Sequence, residues 1–217
     1  MDTTSLTKRL KIEIDGWPSL GELKPSEGTM NYLKRKWNLG PKEDIIKAYR
    51  LLTYSTYVTY VLYFTNYAIY IKDIRHNTIS IIKWWELTKV SYENGQLMFF
   101  NSEEEKIKNI NVSTFFPNET SITTAVCISE GLTSIASIAP NPLQLAQENK
   151  YSEAIDAVNY YITINSSIEL YVIRAFIHYD RAIKSNDNEN LLQEALIEIE
   201  KTIDLCKDHK ECWELHK

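Results

Sequence analysis

Two segments in the last third of this chain share one pattern, and no other feature constrains the fold as much. Tyr151-Ser-Glu-Ala154-Ile155 opens a helical pattern that runs to Asn165, and Leu192-Gln-Glu-Ala195-Leu196 opens another that runs to Leu205. Each has glutamate and alanine at its third and fourth positions and continues with apolar residues at helical spacing. Helical units that recur in this way stack on one another and present a surface to other proteins. The pattern predicts a helical-repeat region.

Charge is distributed unevenly along the 217 residues. Residues 1–117 carry 16 lysines and arginines against 13 acidic residues, a net charge of +3, whereas residues 118–217 carry 8 against 16, a net charge of −8. Because binding to a duplex depends on neutralising phosphates, the acidic second part argues against a nucleic-acid partner. The change of sign near Pro117 also predicts a domain boundary there.

The cysteine count and the N-terminal residues indicate the cellular compartment of the protein. The chain has three cysteines, and residues 1–20 contain no apolar stretch typical of an export signal. These features predict a protein of the reducing cytoplasm. The longest apolar stretch, Val58–Ile71, is interrupted by polar residues and is too short to span a bilayer, so a membrane partner is not expected.

Residues 48–116 are rich in Tyr, Thr, Val and Ile, which are typical of strands. The pattern predicts a first strand over Tyr49–Val61 and a tight connection at Thr65-Asn66-Tyr67. Asn94-Gly95 predicts a β-hairpin, because both residues accept positive φ. Further strands are predicted at Val61–Phe64, Ala68–Lys72, Thr78–Ile82 and Ile107–Val112.

Helical periodicity takes over near Asn118. Asn118 or Thr120 can cap a helix that Pro140-Asn-Pro142 ends. Its apolar residues fall on one face: Ile122, Ala125, Ile128, Leu132, Ile135 and Ala139. Further helices are predicted at Leu143–Ile164, Ile168–Lys184, Leu191–Leu205 and from Lys210 onward.

The helical region resembles the tetratricopeptide repeat, in which small residues let two antiparallel helices approach closely. Ala175 stands where that family usually has glycine. The distance from Ala154 to Ala195 is 41 residues, longer than the family's period of about 34, and the polar run Ser185–Asn190 absorbs the excess. The matching residues are Tyr151, Ala154, Val158 and Tyr161 in one second helix, Tyr171, Arg174, Ala175 and Tyr179 in a first helix, and Ala195, Ile199 and Thr202 in the next second helix.

The β-rich region is similar in strand rhythm to pleckstrin-homology and GRAM modules, whose bent antiparallel sheet is closed by a C-terminal amphipathic helix. The similarity is carried by Leu62–Lys72, Ile81–Val90 and the Asn94-Gly95 hairpin, with the helix after Asn118 in the closing position. Lipid-binding members place lysine and arginine between their first two strands. Thr53–Tyr57 holds none here, so the resemblance does not imply lipid binding.

Together these patterns and the two resemblances predict an α+β protein in three parts. Residues 1–45 form an N-terminal extension with short helices, of which Thr29–Trp37 is the clearest. Residues 46–139 form a bent, antiparallel, PH-like β-sheet closed by an amphipathic helix. Residues 143–217 form a bundle of tetratricopeptide-like helical repeats.

The resemblance to the tetratricopeptide repeat also implies a binding surface, because the first helix of each repeat lines the family's groove. Acidic and aromatic groups in such a groove favour a basic or apolar peptide. The alternative is that Phe176 and Tyr179 pack against a neighbouring helix. The candidate partner-binding residues are Glu169, Val172, Arg174, Phe176, His178, Tyr179 and Asp180.

Two further clusters contain residue types that can form binding or metal sites. Trp84 and Trp85 point to opposite sides if the chain is extended, which makes Trp85 a candidate exposed anchor for a partner, since tryptophan is enriched in interface hot spots. The C-terminal run of cysteines and histidines contains metal-ligand types but lacks the CxxC-like knuckle of structural zinc sites. No metal is therefore predicted at Cys206, His209, Cys212 and His216.

The sequence contains no Gly-x-Ser-x-Gly elbow, phosphate loop or His-Glu-x-x-His motif. It therefore predicts a protein that is not an enzyme, has no cofactor and binds a protein or peptide partner as an adaptor or scaffold. One alternative is an immunity or regulatory protein that neutralises a toxin or enzyme by tight binding. A second alternative is recognition of an anionic membrane surface by the β-rich region through Lys34-Arg35-Lys36.

Overall fold

The computed structural model of the chain describes residues 3–16, 22–24, 26–54, 57–112, 119–185 and 189–207. The protein is α+β, as the sequence predicts. It divides into two compact units, a β-rich unit that ends at Pro140 and a helical unit that begins at Asn141.

Two helices and a short strand precede the main sheet of the β-rich unit. They are α1 (Thr3–Asp15), β1 (Glu22–Leu23) and α2 (Glu27–Lys36). Ser26 caps α2, because its hydroxyl accepts a hydrogen bond of 3.2 Å from the amide of Thr29. The buried Nζ of Lys47 donates to two carbonyls in the last turn of α1, where the helix dipole favours a cation.

The main sheet is antiparallel, with strand order β1-β2-β3-β4-β5. One prediction is wrong here: Tyr49–Val61 is not a single strand, because the chain reverses between Tyr54 and Tyr57. No glycine, proline or asparagine marks that reversal, so the β-branched and aromatic pattern runs through it uninterrupted. The strands are β2 (Ile45–Tyr54), β3 (Tyr57–Thr65), β4 (Ala68–Asp73) and β5 (Thr78–Lys83).

A buried carboxylate fixes the predicted tight connection between β3 and β4. Glu43 is 0% exposed. Its Oε1 accepts a hydrogen bond of 2.8 Å from the hydroxyl of Thr65, and its Oε2 accepts one of 3.1 Å from the amide of Gly40. Burial, and after it Glu43, raises the pKa of Tyr70, whose hydroxyl is also hydrogen-bonded to this carboxylate. Three polar groups therefore converge on one buried side chain.

Both tryptophans of the Trp84-Trp85 pair are buried, so the prediction of an exposed anchor at Trp85 is wrong. The residues form a 3₁₀ turn instead of an extended segment. In such a turn successive side chains are about 120° apart, so both can face the interior. The indole of Trp84 donates to the carbonyl of Thr65 at 3.0 Å, and Trp85 packs edge-on against Tyr67.

A second sheet has the order β6-β7-β8, formed by Lys89–Glu93, Gln96–Phe100 and Lys106–Asn111. The predicted hairpin at Asn94-Gly95 is confirmed, with φ values of 50° and 74° at its two turn residues. The helix α3 (Glu119–Ile138) contacts β2, β6 and α1. Its predicted apolar face is buried at Ala125, Ile128, Leu132, Ile135 and the following Ala139.

The helical unit consists of α4 (Pro142–Gln147), α5 (Tyr151–Ile164), α6 (Ile168–Lys184) and α7 (Glu189–Lys207) among the described residues. The prediction of one helix over Leu143–Ile164 is wrong, because the chain turns at Asn149, whose φ is 60°. Asparagine adopts this left-handed conformation more readily than most residues, and it commonly ends helices there. The helix predicted from Lys210 lies outside the described residues.

Small residues lie at the contacts between these helices. Ala154, Ala175 and Ala195 are all buried, one on each of α5, α6 and α7. Helix α5 contacts α6, and α6 contacts α7, while α4 contacts both α5 and α6. Because alanine leaves room for a close approach, the three positions allow the helices to pack against one another along their length.

Candidate functional site

Helix α6 carries four large apolar side chains in one row on its surface. They are Val172, Phe176, Tyr179 and Ile183, and each is between 48% and 54% exposed. Their spacing of four, three and four residues keeps them on one side of the helix. The first three are among the residues that the sequence pointed to, and the structure places them together.

Helix α7 carries a second row with the same spacing. Leu192, Leu196 and Ile203 are exposed, and Ile199 is half-buried between them. Sequence reasoning missed this row as part of a site, because it read α7 only as a helix that packs on its neighbours. The repeated spacing of four, three and four residues was the available signal. We call these two rows of four residues together the hairpin face.

A groove of about 340 Å³ runs between the two rows, and apolar atoms form almost all of its lining. Ala175 and Thr202 are buried, and both are small, so they leave a depression where larger residues would fill the space. The exposed side chains stand on either side of it. The groove is lined by Val172, Ala175, Phe176, Tyr179, Ile199, Thr202 and Ile203.

On the side of α6 away from the groove, a polar link joins α5, α6 and α7. The guanidinium of Arg174 donates to Asn159 of α5 at 2.9 Å and to Glu198 of α7 at 2.8 Å. At about 100° per residue, Arg174 projects roughly opposite to Val172 and Phe176. Arg174 was a candidate binding residue, but the structure places it away from the groove, where it holds three helices together.

Acidic side chains lie along both outer edges of the hairpin face. Glu169 and Asp180 flank the row on α6, and Glu189 and Glu200 flank the row on α7. In each helix, one carboxylate lies three residues before the first apolar residue of the row, and the other lies four residues after the second. The two helices therefore present the same combination of an apolar row and an acidic edge.

Asp180 is also tied to the neighbouring helix. Its Oδ2 accepts hydrogen bonds from Lys184 at 2.9 Å and from the hydroxyl of Tyr151 at 3.0 Å. The Lys184 ammonium, helped by Tyr151, holds the pKa of Asp180 below its ordinary value, although burial opposes this. Asp180 therefore remains negative throughout the neutral range and joins the start of α5 to the end of α6.

His178, another candidate binding residue, lies half-buried beside α7 and does not line the groove. Burial lowers the pKa of His178, against the opposing effect of Glu198 and Glu194 on α7. Arg174 and Arg181, on its own helix, lower the pKa further. The folded protein therefore favours the neutral imidazole.

This shift predicts a loss of stability in mild acid. Because the pKa of His178 is lower in the folded state than in the unfolded state, stability is present above about pH 6.5 and falls as the pH drops below it. One proton limits the slope to about 1.4 kcal/mol per pH unit. Urea unfolding between pH 5.0 and 7.5 is expected to show a shallower decline for His178→Gln than for the unmodified chain. Equal slopes for the two proteins would contradict this role.

The basic cluster on α2 and the C-terminal cysteines and histidines are not part of the hairpin face. Each member of the basic cluster on α2 is engaged locally: Lys34 pairs with Asp44, Arg35 donates to the carbonyl of Asn31, and Lys36 lies over the ring of Tyr32. Cys206 is a half-buried thiol of α7. His209, Cys212 and His216 lie outside the described residues, and within the described part of the chain no three potential ligands are grouped around a metal position.

Comparisons of the chain with protein-family models, with curated proteins and with solved structures give no match. Of the helices that the structure describes, none is both long enough and apolar enough to cross a bilayer.

Proposed function

We propose that this protein is a non-catalytic adaptor that binds a protein partner through the hairpin face. The observation that carries the proposal is the pair of matched apolar rows on α6 and α7, which stay largely exposed on either side of an apolar groove. Burying one large aliphatic or aromatic side chain is worth about 1.5–3 kcal/mol, so several such side chains supply enough free energy for a specific complex. Soluble proteins rarely expose contiguous apolar patches unless these patches bind something.

The packing of the helical unit supports a repeat of the tetratricopeptide kind as the scaffold. Buried alanines lie at the contacts of α5, α6 and α7, and α4 contacts α6 as well as its own partner α5. A scaffold of stacked hairpins is rigid, and its outward faces are set by the spacing of the exposed residues. In the β-rich unit, the order of four strands (β2 to β5), three strands (β6 to β8) and a helix supports a module of the pleckstrin-homology kind.

The acidic edges of the hairpin face favour one second candidate, a regulatory or immunity protein that neutralises a basic toxin or enzyme. Such a protein binds its target in a tight one-to-one complex and inhibits it, whereas an adaptor binds without inhibition. Measuring the activity of the captured partner in the presence of an excess of this protein separates the two. In either case the partner would bind at the hairpin face.

The test of the proposed function compares two substitutions on one helix. Ile203 lies in the groove and is 48% exposed, whereas Ile197 lies outside the groove and is 45% exposed. Ile203→Asp is expected to weaken binding of a purified partner at least about 30-fold, near 2 kcal/mol, since a charge would be buried in the interface. Ile197→Asp is expected to leave the affinity within about twofold.

The partner would be identified by affinity capture from the source cell and then titrated in purified form by calorimetry. Both variants start from exposed isoleucines, so circular dichroism is expected to show the same helix content in each. A purified partner that binds the two variants equally well would contradict the assignment of the hairpin face as the binding site. Turnover of a small molecule without any protein partner would contradict the adaptor function itself.

A further inference from the structure

The charge on the two edges of the hairpin face defines the chemistry of its partner. Besides the four carboxylates already named, Asp204 lies on the edge of α7, directly after Ile203. Within the described residues, the edges therefore hold five carboxylates against two lysines. Both lysines are already paired with an edge carboxylate at 2.9 Å, Lys184 with Asp180 and Lys207 with Asp204. The edges are therefore negative on both sides of an uncharged groove.

The shape of the groove favours a helix as the occupant. The rows on α6 and α7 lie on antiparallel helices, because Arg174 meets Glu198 and Tyr171 meets Thr202 across the contact. Each row spans eleven residue steps, which is about 17 Å along a helix. Two such rows form the trough into which a third helix packs by inserting its own apolar residues between theirs. A peptide that binds by adding a strand would need a sheet edge for its backbone hydrogen bonds, and the described helical unit contains no strand.

We propose that the hairpin face binds an amphipathic helix of a partner protein whose apolar row is flanked on both sides by lysine or arginine. This inference rests on the proposed function and narrows it to one class of partner. In such a complex the apolar row fills the groove, and the basic residues of the partner meet the acidic edges of α6 and α7. Charge complementarity of this kind sets the orientation and accelerates association.

The same edges disfavour a second copy of the chain as the occupant. A symmetric dimer places the same patch of each copy against the other. The carboxylates along the edges of one copy would then meet those of its partner, and like charges at an interface oppose association. A basic helix removes this repulsion and replaces it with attraction.

The first experiment uses two synthetic helices of about 18 residues with blocked ends. Both carry leucines spaced four, three and four residues apart on an alanine-rich background; one has lysines beside the leucines, and the other has glutamates. Fluorescence anisotropy with the full chain in 50 mM NaCl is expected to show at least tenfold tighter binding of the lysine peptide. That preference is expected to shrink as salt is raised to 500 mM, because the attraction is screened.

The second experiment reverses the edge charge with a matched control. The double variant Glu189→Lys/Glu200→Lys changes the acidic edge of α7. The double variant Glu153→Lys/Glu194→Lys makes the same change in net charge at exposed positions away from the groove. The edge variant is expected to bind the lysine peptide at least tenfold more weakly and the glutamate peptide more tightly than the control variant does.

The outcomes separate this inference from the proposed function. Equal binding of both peptides, lost on Ile203→Asp, would keep a protein-binding hairpin face but overturn the basic partner. Lysine-peptide binding that survives Ile203→Asp would show non-specific attraction and also overturn the inference.

A dimer in sedimentation equilibrium that Ile203→Asp dissociates would assign the face to a second copy. Peptide binding seen only in a variant ending at Lys207 would assign it to the chain's own last ten residues.

Discussion

Replacing Glu43 with alanine is expected to lower the free energy of unfolding of the β-rich unit by about 4 kcal/mol. The carboxylate is 0% exposed and accepts hydrogen bonds from the amide of Gly40 and the hydroxyl of Thr65. The hydroxyl of Tyr70 also bonds to it. The substitution would remove the acceptor that these donors share and leave a cavity. The buried hydroxyl of Tyr70 would lose this acceptor, at a cost of about 1–3 kcal/mol, whereas the hydroxyl of Thr65 can turn to the carbonyl of Ala68 at 3.0 Å. The half-buried amide of Gly40 and the cavity add to the loss.

Two control variants are compared with Glu43→Ala. Glu130→Ala removes an exposed carboxylate from α3 and is expected to change stability by less than about 0.5 kcal/mol. Glu43→Gln keeps one acceptor oxygen but turns an amide donor toward other donors, so its loss is expected to fall between those of the two alanine variants. Urea unfolding followed by tryptophan fluorescence reports on this unit through Trp37, Trp84 and Trp85. A loss from Glu43→Ala that matches Glu130→Ala would contradict the structural role of the network.

The elements that sequence reasoning predicted well are those whose signals are local. The Asn94-Gly95 hairpin was predicted because both residues accept positive φ, and the structure gives φ of 50° and 74° there. Helix α6 was predicted over the residues that it occupies, Ile168–Lys184. The buried face of α3 follows from spacing alone, since residues three and four apart share one side of a helix.

The elements that the sequence predicted wrongly are determined by tertiary contacts, which the spacing of residues does not reveal. Nothing in Tyr54-Ser-Thr-Tyr57 distinguishes a reversal from a continuing strand. The burial of Trp85 comes from the 3₁₀ turn and from the ring of Tyr67, which are set by the packing of the sheet. The turn at Asn149 has a partial signal in the sequence, because asparagine tolerates the left-handed conformation. The apolar spacing on both sides of Asn149 nevertheless matches one continuous helix.

The candidate site was predictable in part, for a related reason. Apolar spacing identified Val172, Phe176 and Tyr179, but a row that another helix covers has the same spacing as a row that stays exposed. Only the packed structure shows that α6 turns its alanine side to α7 and leaves the larger row outside. Arg174 and His178 each follow a groove residue by two positions, which is about 200° around the helix, so spacing alone already places them outside the groove row.

Replacing Arg174 with alanine is expected to lower the free energy of unfolding of the helical unit by about 3 kcal/mol. Its guanidinium joins α5, α6 and α7 through Asn159 and Glu198, and the charged pair is largely buried, with side chains 19% and 14% exposed. The loss would leave Glu198 partly buried with one cation fewer. Arg174→Lys is expected to recover only part of the loss, because a single ammonium cannot donate to both partners with the geometry of the guanidinium fork.

Lys201 provides the matched control, since it binds the other oxygen of the same carboxylate at 3.0 Å but is 59% exposed. Lys201→Ala is expected to cost less than about 1 kcal/mol, as exposed ion pairs do. Burial raises the pKa of Glu198, but Lys201 and Arg174 outweigh it, so the pKa lies below its ordinary value of 4.5. The contribution of the pair is therefore present at neutral pH and lost as the pH falls below that value. Hydrogen exchange of the α6 and α7 amides at pH 7 measures the loss of stability in Arg174→Ala and in Lys201→Ala. Equal losses in the two variants would contradict the role of Arg174 in joining the three helices.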